Sequence, residues 1–264
     1  MSEDLPNLSD SSIPEMAVRK VDPAHEPPAP RRAMAIHAHP DDQEFTIAGT
    51  LGKWARAGTE IVSVVLTSGD AGSNDPRLRA DSRPALARLR EAEQLAACRV
   101  LGVKRTIFLH YPDGELVADL GLRRALTRVI REVQPEVVLC GDPTAHFYGN
   151  SYVNHPDHRA AAQAACDAVF PSAGTRLIFP ELLEEGFEPH SVRRLFLHGV
   201  EKPDTWIDIA ESIDLKIAAL KEHKSQVGKT DIGRRMREWA AEDGKQRGLE
   251  FAETYRVMVL VDEA

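Results

Sequence analysis

Apolar residues recur along this chain with two different periods. Positions 33–36 and 61–66 are short, continuously apolar runs, as expected of strands buried on both faces of a parallel sheet. Between and after them the period lengthens. Residues 42–57 set Ile47, Leu51 and Trp54 on one helical face, and residues 82–101 set Ala85, Leu89, Ala92 and Ala96 inward, with Gly102 closing the helix. The alternation continues with a strand at 105–110, a helix at 120–133 carrying Leu122, Leu126, Val129 and Ile130 inward, a strand at 137–140 and a helix from Pro156. Beyond Pro171 the signals shorten to strands at 177–179, 194–197 and 206–209, helices at 211–222 and 234–247, and a last strand at 255–261. This pattern predicts an α/β fold, a mostly parallel sheet with helices on both faces. Residues 1–31, rich in proline, serine and acids, read as a disordered tail, and residues 32–264 as a single α/β domain.

Composition narrows the function class. A net charge of −8 over 264 residues argues against a nucleic-acid surface, which would want a basic face. No run approaches the ~20 apolar residues of a membrane span, and the N-terminus has no apolar signal core. The three cysteines, Cys98, Cys140 and Cys166, form no CxxC pair and fall in helix and strand patterns, as buried free thiols do. A cytoplasmic protein is expected.

Two stretches carry chemistry. His39-Pro40-Asp41-Asp42 ends the first strand and opens a helix, and His155-Pro156-Asp157-His158 opens another helix after the 137–140 strand. In an open α/β sheet such strand-to-helix edges are where ligands bind. His39 and Asp42, three apart across a helix start, can face one point, and His158 supplies a third ligand. Three such ligands with a position left open suit a catalytic zinc, one per chain. Asp41 and His155 then stand beside the ligands. A carboxylate there can act as general base, and a histidine opposite can stabilise an oxyanion or protonate a leaving amine. The set is an apparatus for metal-assisted hydrolysis of an acyl bond. Simpler readings accompany it. Asp41, Asp42 and Glu44 also suit a helix start, His37 suits packing or hydrogen bonding within the strand, and Asp157 suits either a first-turn acid or a partner orienting a ligand histidine.

These motifs, with Arg90-x-x-Glu93 before Leu101-Gly102-Val103, Asp113-Gly114, and His223 with Ser225-Gln226, resemble the zinc-dependent N-acetylglucosamine deacetylases of the PIG-L/LmbE family. The resemblance spans about residues 33–226. It implies a Rossmann-like fold without a dinucleotide, with His39, Asp42 and His158 as zinc ligands, Asp41 as general base and His155 at the tetrahedral intermediate. It also implies that Arg90 and Asp113 contact substrate hydroxyls, although Arg90 equally suits a helix-surface pair with Glu93. The implied substrate is a small amino-sugar conjugate, an N-acetylglucosamine joined to inositol, malate or another aglycone. Some members place a catalytic tyrosine two residues before the first histidine of the second motif. That position here is Val153, and Tyr152 is one residue off. A homo-oligomer is compatible with all of this. Two other readings compete: an amidohydrolase-type metal hydrolase on another N-acyl substrate, and a non-catalytic, metal-stabilised binding protein.

Overall fold

The computed structural model of the protein describes residues 26–228 and 230–261. In chain order its elements are β1 (Arg32–His37), α1 (Asp42–Thr46), α2 (Ala48–Arg56), β2 (Glu60–Thr67), α3 (Arg83–Leu101), β3 (Arg105–Tyr111), α4 (Leu120–Val133), β4 (Val137–Gly141), β5 (Phe147–Tyr148), β6 (Tyr152–Val153), α5 (Pro156–Asp167), α6 (Glu181–Glu184), β7 (Arg194–His198), β8 (Thr205–Asp208), α7 (Ile213–Leu220), α8 (Lys224–Val227), α9 (Ile232–Gly244) and β9 (Ala252–Val259). Seven strands form one sheet in the order β3-β2-β1-β4-β7-β9-β8. The first five of that order run parallel, and β9 lies antiparallel between β7 and β8.

Alternate residues of β1 feed the two faces of the sheet. Ala33 and Ala35 pack with Ile47, Leu51 and Trp54, with Leu101 of α3, and with Ile217 and Met236 of α7 and α9. Met34 and Ile36 pack with Leu122, Leu126 and Ile130 of α4 and with Ala161 and Ala165 of α5. Trp54 is 1% exposed and meets Phe196 edge to face. The chain builds outward from β1 to β2 and β3, then returns across β1 to lay β4 on its other side. The loops leaving β1 and β4 therefore part in opposite directions, and a crevice opens between them.

Some expected elements differ. The helix expected over 42–57 breaks at Ile47, where φ is −122° and ψ is 7°, into α1 and α2. Residues 177–179 form turns and bends instead of a strand. The inward face of α3 is not the Ala85–Leu89–Ala92–Ala96 stripe, whose Leu89 is 48% exposed. The buried face is Arg90, Glu93, Gln94, Ala97, Cys98 and Leu101. Arg90 and Gln94 are hydrogen-bonded to the loop after β1 and Glu93 to Ser225 of α8, which is how buried polar groups are tolerated. Apolar periodicity does not register such a stripe.

Most of the expected tail, residues 1–25, lies outside the described residues. Residues 26–31 lie along the edge of the domain. Glu26 pairs with Lys53 at 2.6 Å and accepts from the Asp208 amide, Thr59 donates to the Pro30 carbonyl at 2.7 Å, and Arg31 pairs with Glu136 at 2.7 Å. Removing residues 1–25 is expected to leave the melting temperature unchanged, whereas removal through Arg31 is expected to lower it by a few degrees, at about 2–4 °C per kcal/mol. Thermal melts of the two truncations check this, and equal melting temperatures would show that these bonds contribute nothing.

Candidate active site

Pro40 lacks the N–H needed to extend the β1 ladder, and the chain turns there. Asp41 occupies the left-handed region, φ 88° and ψ −23°, and Asp42 opens α1. Aspartate tolerates that conformation better than most residues. Across the crevice the loop after β4 ends in His155, the cap of α5, with Pro156 in the first helical positions. His158 follows one turn on.

The expected ligands converge. His39 Nδ1 lies 3.2 Å from His158 Nε2 and 3.5 Å from Asp42 Oδ2, and Asp42 Oδ1 lies 3.1 Å from His158 Nε2. Two donors each ~2.1 Å from one tetrahedral zinc would stand about 3.4 Å apart, close to these separations, in which Asp42 meets His39 through Oδ2 and His158 through Oδ1. The Asp42 carboxylate is further fixed by accepting the His39 amide at 2.8 Å. Donor atoms of His39, His155 and His158 also fall within 4.8 Å of one another, as do those of His39, Asp113 and Asp157. The second group reaches His39 from its other nitrogen. Asp113 Oδ1 is 3.0 Å and Asp157 Oδ2 3.3 Å from His39 Nε2. A carboxylate on the far nitrogen of a ligand histidine fixes its tautomer and ring orientation. Of the two readings open for Asp157, the geometry matches the second, and the histidine it orients belongs to the other motif.

The charge balance of the cluster points the same way. Burial disfavours the charged form of His39, but Asp42 and hydrogen bonds to Asp113, Asp157 and Asp42 outweigh it and push its pKa up to about 12. Burial likewise opposes, and Asp42 overcomes, an upward shift at His158. Burial would raise the Asp42 carboxyl, yet His158 and His39 hold it well below the usual carboxylate range. Three carboxylates around two imidazoles make a place for positive charge, which a divalent cation would supply.

Asp41 is held from behind. Arg90 Nη2 donates to Asp41 Oδ2 at 3.1 Å and to the Pro40 carbonyl at 2.8 Å, while Nη1 donates to the Gly69 carbonyl at 2.7 Å. A side chain at Gly69 or Gly72 would collide with this guanidinium, which accounts for the glycines of the loop after β2. Asp41 lines the cavity, and among the described residues its Oδ1 has no hydrogen-bond partner while Oδ2 accepts from Arg90. Burial, then the Asp42 charge, raise the Asp41 carboxyl to about 7, against Arg90 and His223.

His155 Nδ1 accepts the Asp157 amide at 3.2 Å. In the neutral ring the proton then sits on Nε2, and the ring lines the cavity. Burial, followed by the nearby His39 and His158, lowers the His155 pKa.

Arg90 and Asp113, expected at substrate hydroxyls, line the cavity and also bond within the protein. Arg90 is 4% exposed and bonds to Asp41 and two carbonyls, not to Glu93. Asp113 is 5% exposed, with one oxygen on His39 and the other accepting the Ala71 amide at 2.6 Å. Glu93 instead binds the amide and hydroxyl of Ser225. His37 does not bond within its own strand. Its Nε2 is 3.0 Å from Nε2 of His198 on β7, and burial lowers the pKa of both rings.

The centre opens into a cavity of about 1100 Å³. Tyr148 and Tyr152 of the β5–β6 hairpin and Trp239 of α9 line it, whereas Phe147 and Val153 do not and are 72% and 65% exposed. Sequence reasoning missed Trp239, His198 and above all Gln94. The only signal for Gln94 was its place one helical turn beyond Arg90 on α3.

The family model described as PIG-L, GlcNAc-PI de-N-acetylase, matches residues 34–169, a stretch that includes both His/Asp motifs. A diacetylchitobiose deacetylase of Thermococcus kodakarensis is 32% identical over 196 residues, covering 74% of this chain and 70% of its own. A 1D-myo-inositol 2-acetamido-2-deoxy-alpha-D-glucopyranoside deacetylase of Kineococcus radiotolerans is 30% identical over 256 residues, 75% of this chain and 69% of its own. Among solved structures, the N,N′-diacetylchitobiose deacetylase from Pyrococcus horikoshii, complexed with its inhibitor MPG, gives a TM-score of 0.79 at 29% identity, covering 87% of this chain and 84% of that one. By its sequence and by its fold, the chain belongs to the PIG-L family of GlcNAc-PI de-N-acetylases.

Proposed function

We propose that the protein is a zinc-dependent hydrolase that removes the N-acetyl group from an N-acetylglucosamine conjugate. The observation that carries the reading is the convergence of His39, Asp42 and His158, whose nearest donor atoms lie 3.1–3.5 Å apart, in a cavity that Asp41 also lines. His39, Asp42 and His158 hold one ion per chain. When bound, the ion supplies Lewis acidity, polarising an acyl oxygen and making a water acidic near neutral pH.

The chain's own residues do the rest. Asp41, braced by Arg90 on Oδ2, takes a proton from the attacking water on Oδ1. The water oxygen bonds to the acetyl carbon, and His155 donates from Nε2 to the oxygen that becomes negative. The C–N bond then breaks, and the proton held on Asp41 passes to the departing amine. Acetate and a free amino sugar result. Arg90 and Asp113 serve this reaction through Asp41 and His39. The size of the cavity supports a conjugate as substrate, since it is above the ~300–1,000 Å³ common for small-ligand sites, and Tyr148, Tyr152 and Trp239 offer aromatic faces for a sugar ring. No described helix is long and apolar enough to cross a membrane. The three free thiols support a reducing, cytoplasmic setting.

Acetate release should be measured with zinc on N-acetylglucosamine, N,N′-diacetylchitobiose, N-acetylglucosaminyl inositol and a set of N-acetyl amino acids. The conjugates are expected to be cleaved with the highest kcat/KM. Cleavage of the amino acids alone would overturn the sugar assignment, and no acetate from any of them would overturn the deacetylase itself.

A further inference from the structure

We infer that Gln94, which neither the two motifs nor the family resemblance marks, is a positioning residue that holds the general base in its working conformation. The inference rests on the reading of Asp41 as that base.

Asp41 is one of four non-glycine residues with positive φ among those described, and such a conformation persists only where its surroundings enforce it. The turn also buries the Asp41 amide, which lies beyond the reach of any strand and at the start of α1, where no helical carbonyl precedes it. That N–H needs an acceptor. Gln94 Oε1 provides it at 2.9 Å. The side chain of Gln94 is wholly buried, so no water can take over the bond without the packing opening.

The orientation of the Gln94 amide is itself fixed. Its Nε2 donates to Glu44 Oε1 at 3.0 Å. The same oxygen accepts Gln43 Nε2 at 2.7 Å, and Gln43 Oε1 accepts the Ser63 hydroxyl of β2 at 2.7 Å. A flipped amide would set oxygen against carboxylate at one end and N–H against N–H at the other. The relay therefore runs from the sheet, through α1 and α3, to the backbone of the base. Arg90 holds the same peptide from its other side, donating to the Pro40 carbonyl as well as to the Asp41 carboxylate. Gln94 thus holds the N–H of the Pro40–Asp41 peptide, and Arg90 its carbonyl and the Asp41 side chain, from positions one turn apart on α3. Without Gln94 that peptide is held from its carbonyl side alone, tilts to relieve the positive φ, and carries the Asp41 carboxylate with it.

The test is a cycle of Asp41→Asn, Gln94→Met and the double variant, each loaded with zinc and assayed for acetate release from N,N′-diacetylchitobiose. Methionine keeps the length of the side chain and removes the acceptor. Gln94→Met is expected to lower kcat by ~10- to 100-fold, the scale of a misplaced catalytic group, with KM and zinc content within about twofold of wild type. In the double variant kcat is expected to be no lower than in Asp41→Asn alone, because groups acting through one another are not additive. A merely structural role would give the full additive loss. Independently of any substrate, hydrogen exchange over 37–45 is expected to quicken about tenfold or more in Gln94→Met. If that protein does not fold, Gln94→Asn, too short to reach the Asp41 amide, is expected to give the same two results. Unchanged exchange, or a normal kcat, or additive losses, overturn the proposal. A slow Asp41→Asn beside a normal Gln94→Met overturns the role of Gln94 alone, whereas a normal Asp41→Asn overturns the base assignment and Gln94's role with it.

Discussion

Purified His39→Ala and His158→Ala proteins are expected to retain no stoichiometric divalent ion and to release no measurable acetate, while the wild type binds one ion per chain. Each change removes one of three residues whose nearest donor atoms lie 3.1–3.5 Å apart, leaving two ligands where a catalytic zinc takes three. The outer carboxylates give an internal scale. Asp157→Asn removes charge from the far nitrogen of His39, and such partners are worth ~10- to 100-fold in metal affinity. The two histidine variants are expected to fall below that. Elemental analysis after dialysis, with a competing chelator to rank affinities, measures all three. Wild-type ion content in both histidine variants would sink the site. A normal His155→Ala content would separate His155 from the ligands, consistent with its Nδ1 being occupied by the Asp157 amide.

Asp41→Asn is expected to keep its ion and its fold and to lose at least ~10²-fold in kcat, the usual scale of general-base catalysis. Asparagine is isosteric, so the contact with Arg90 and the Gln94 bond to the backbone can persist while the proton acceptor is gone. Asparagine also accepts the left-handed conformation that Asp41 occupies. The expected pattern is therefore a fall in kcat with little change in KM, as when an interaction made only in the transition state is lost. Full turnover in a metal-loaded Asp41→Asn protein would show that the acid merely starts α1.

The strands β1 and β2 were legible because a continuous apolar run between turn residues leaves few alternatives, and the paired His/Asp motifs were legible because each sits where a strand gives way to a helix. What was not legible depended on facing. The apolar side of α3 suggested Leu89 and Ala92 inward, yet the helix is buried through Arg90, Glu93 and Gln94, whose partners lie 21 to 132 residues away in the chain. Arg90 and Asp113 were likewise legible only in part. Their residue types suited sugar hydroxyls, and only the fold reveals that they also bond to Asp41 and His39. Which nitrogen of His39 meets Asp42 and which meets Asp113 depends on ring rotation, and no spacing encodes that.

The antiparallel strand at the edge of the sheet bears on how the chain is made. Among the described residues β8 has β9 as its only partner in the sheet, and β9 is also the outer neighbour of β7. During synthesis Asp208 emerges 44 residues ahead of Ala252, so at ~5–20 residues per second β8 waits about 2–9 seconds, and β7 somewhat longer, for the strand that joins them. Throughout that interval the strands from β3 to β7, with both halves of the metal centre, can already be paired, and the outer edge of β7 is open. An unpaired edge recruits other strands. Ribosome-bound or truncated chains lacking β9 are thus the species of this protein most exposed to aggregation, although every residue proposed for the chemistry is already present in them.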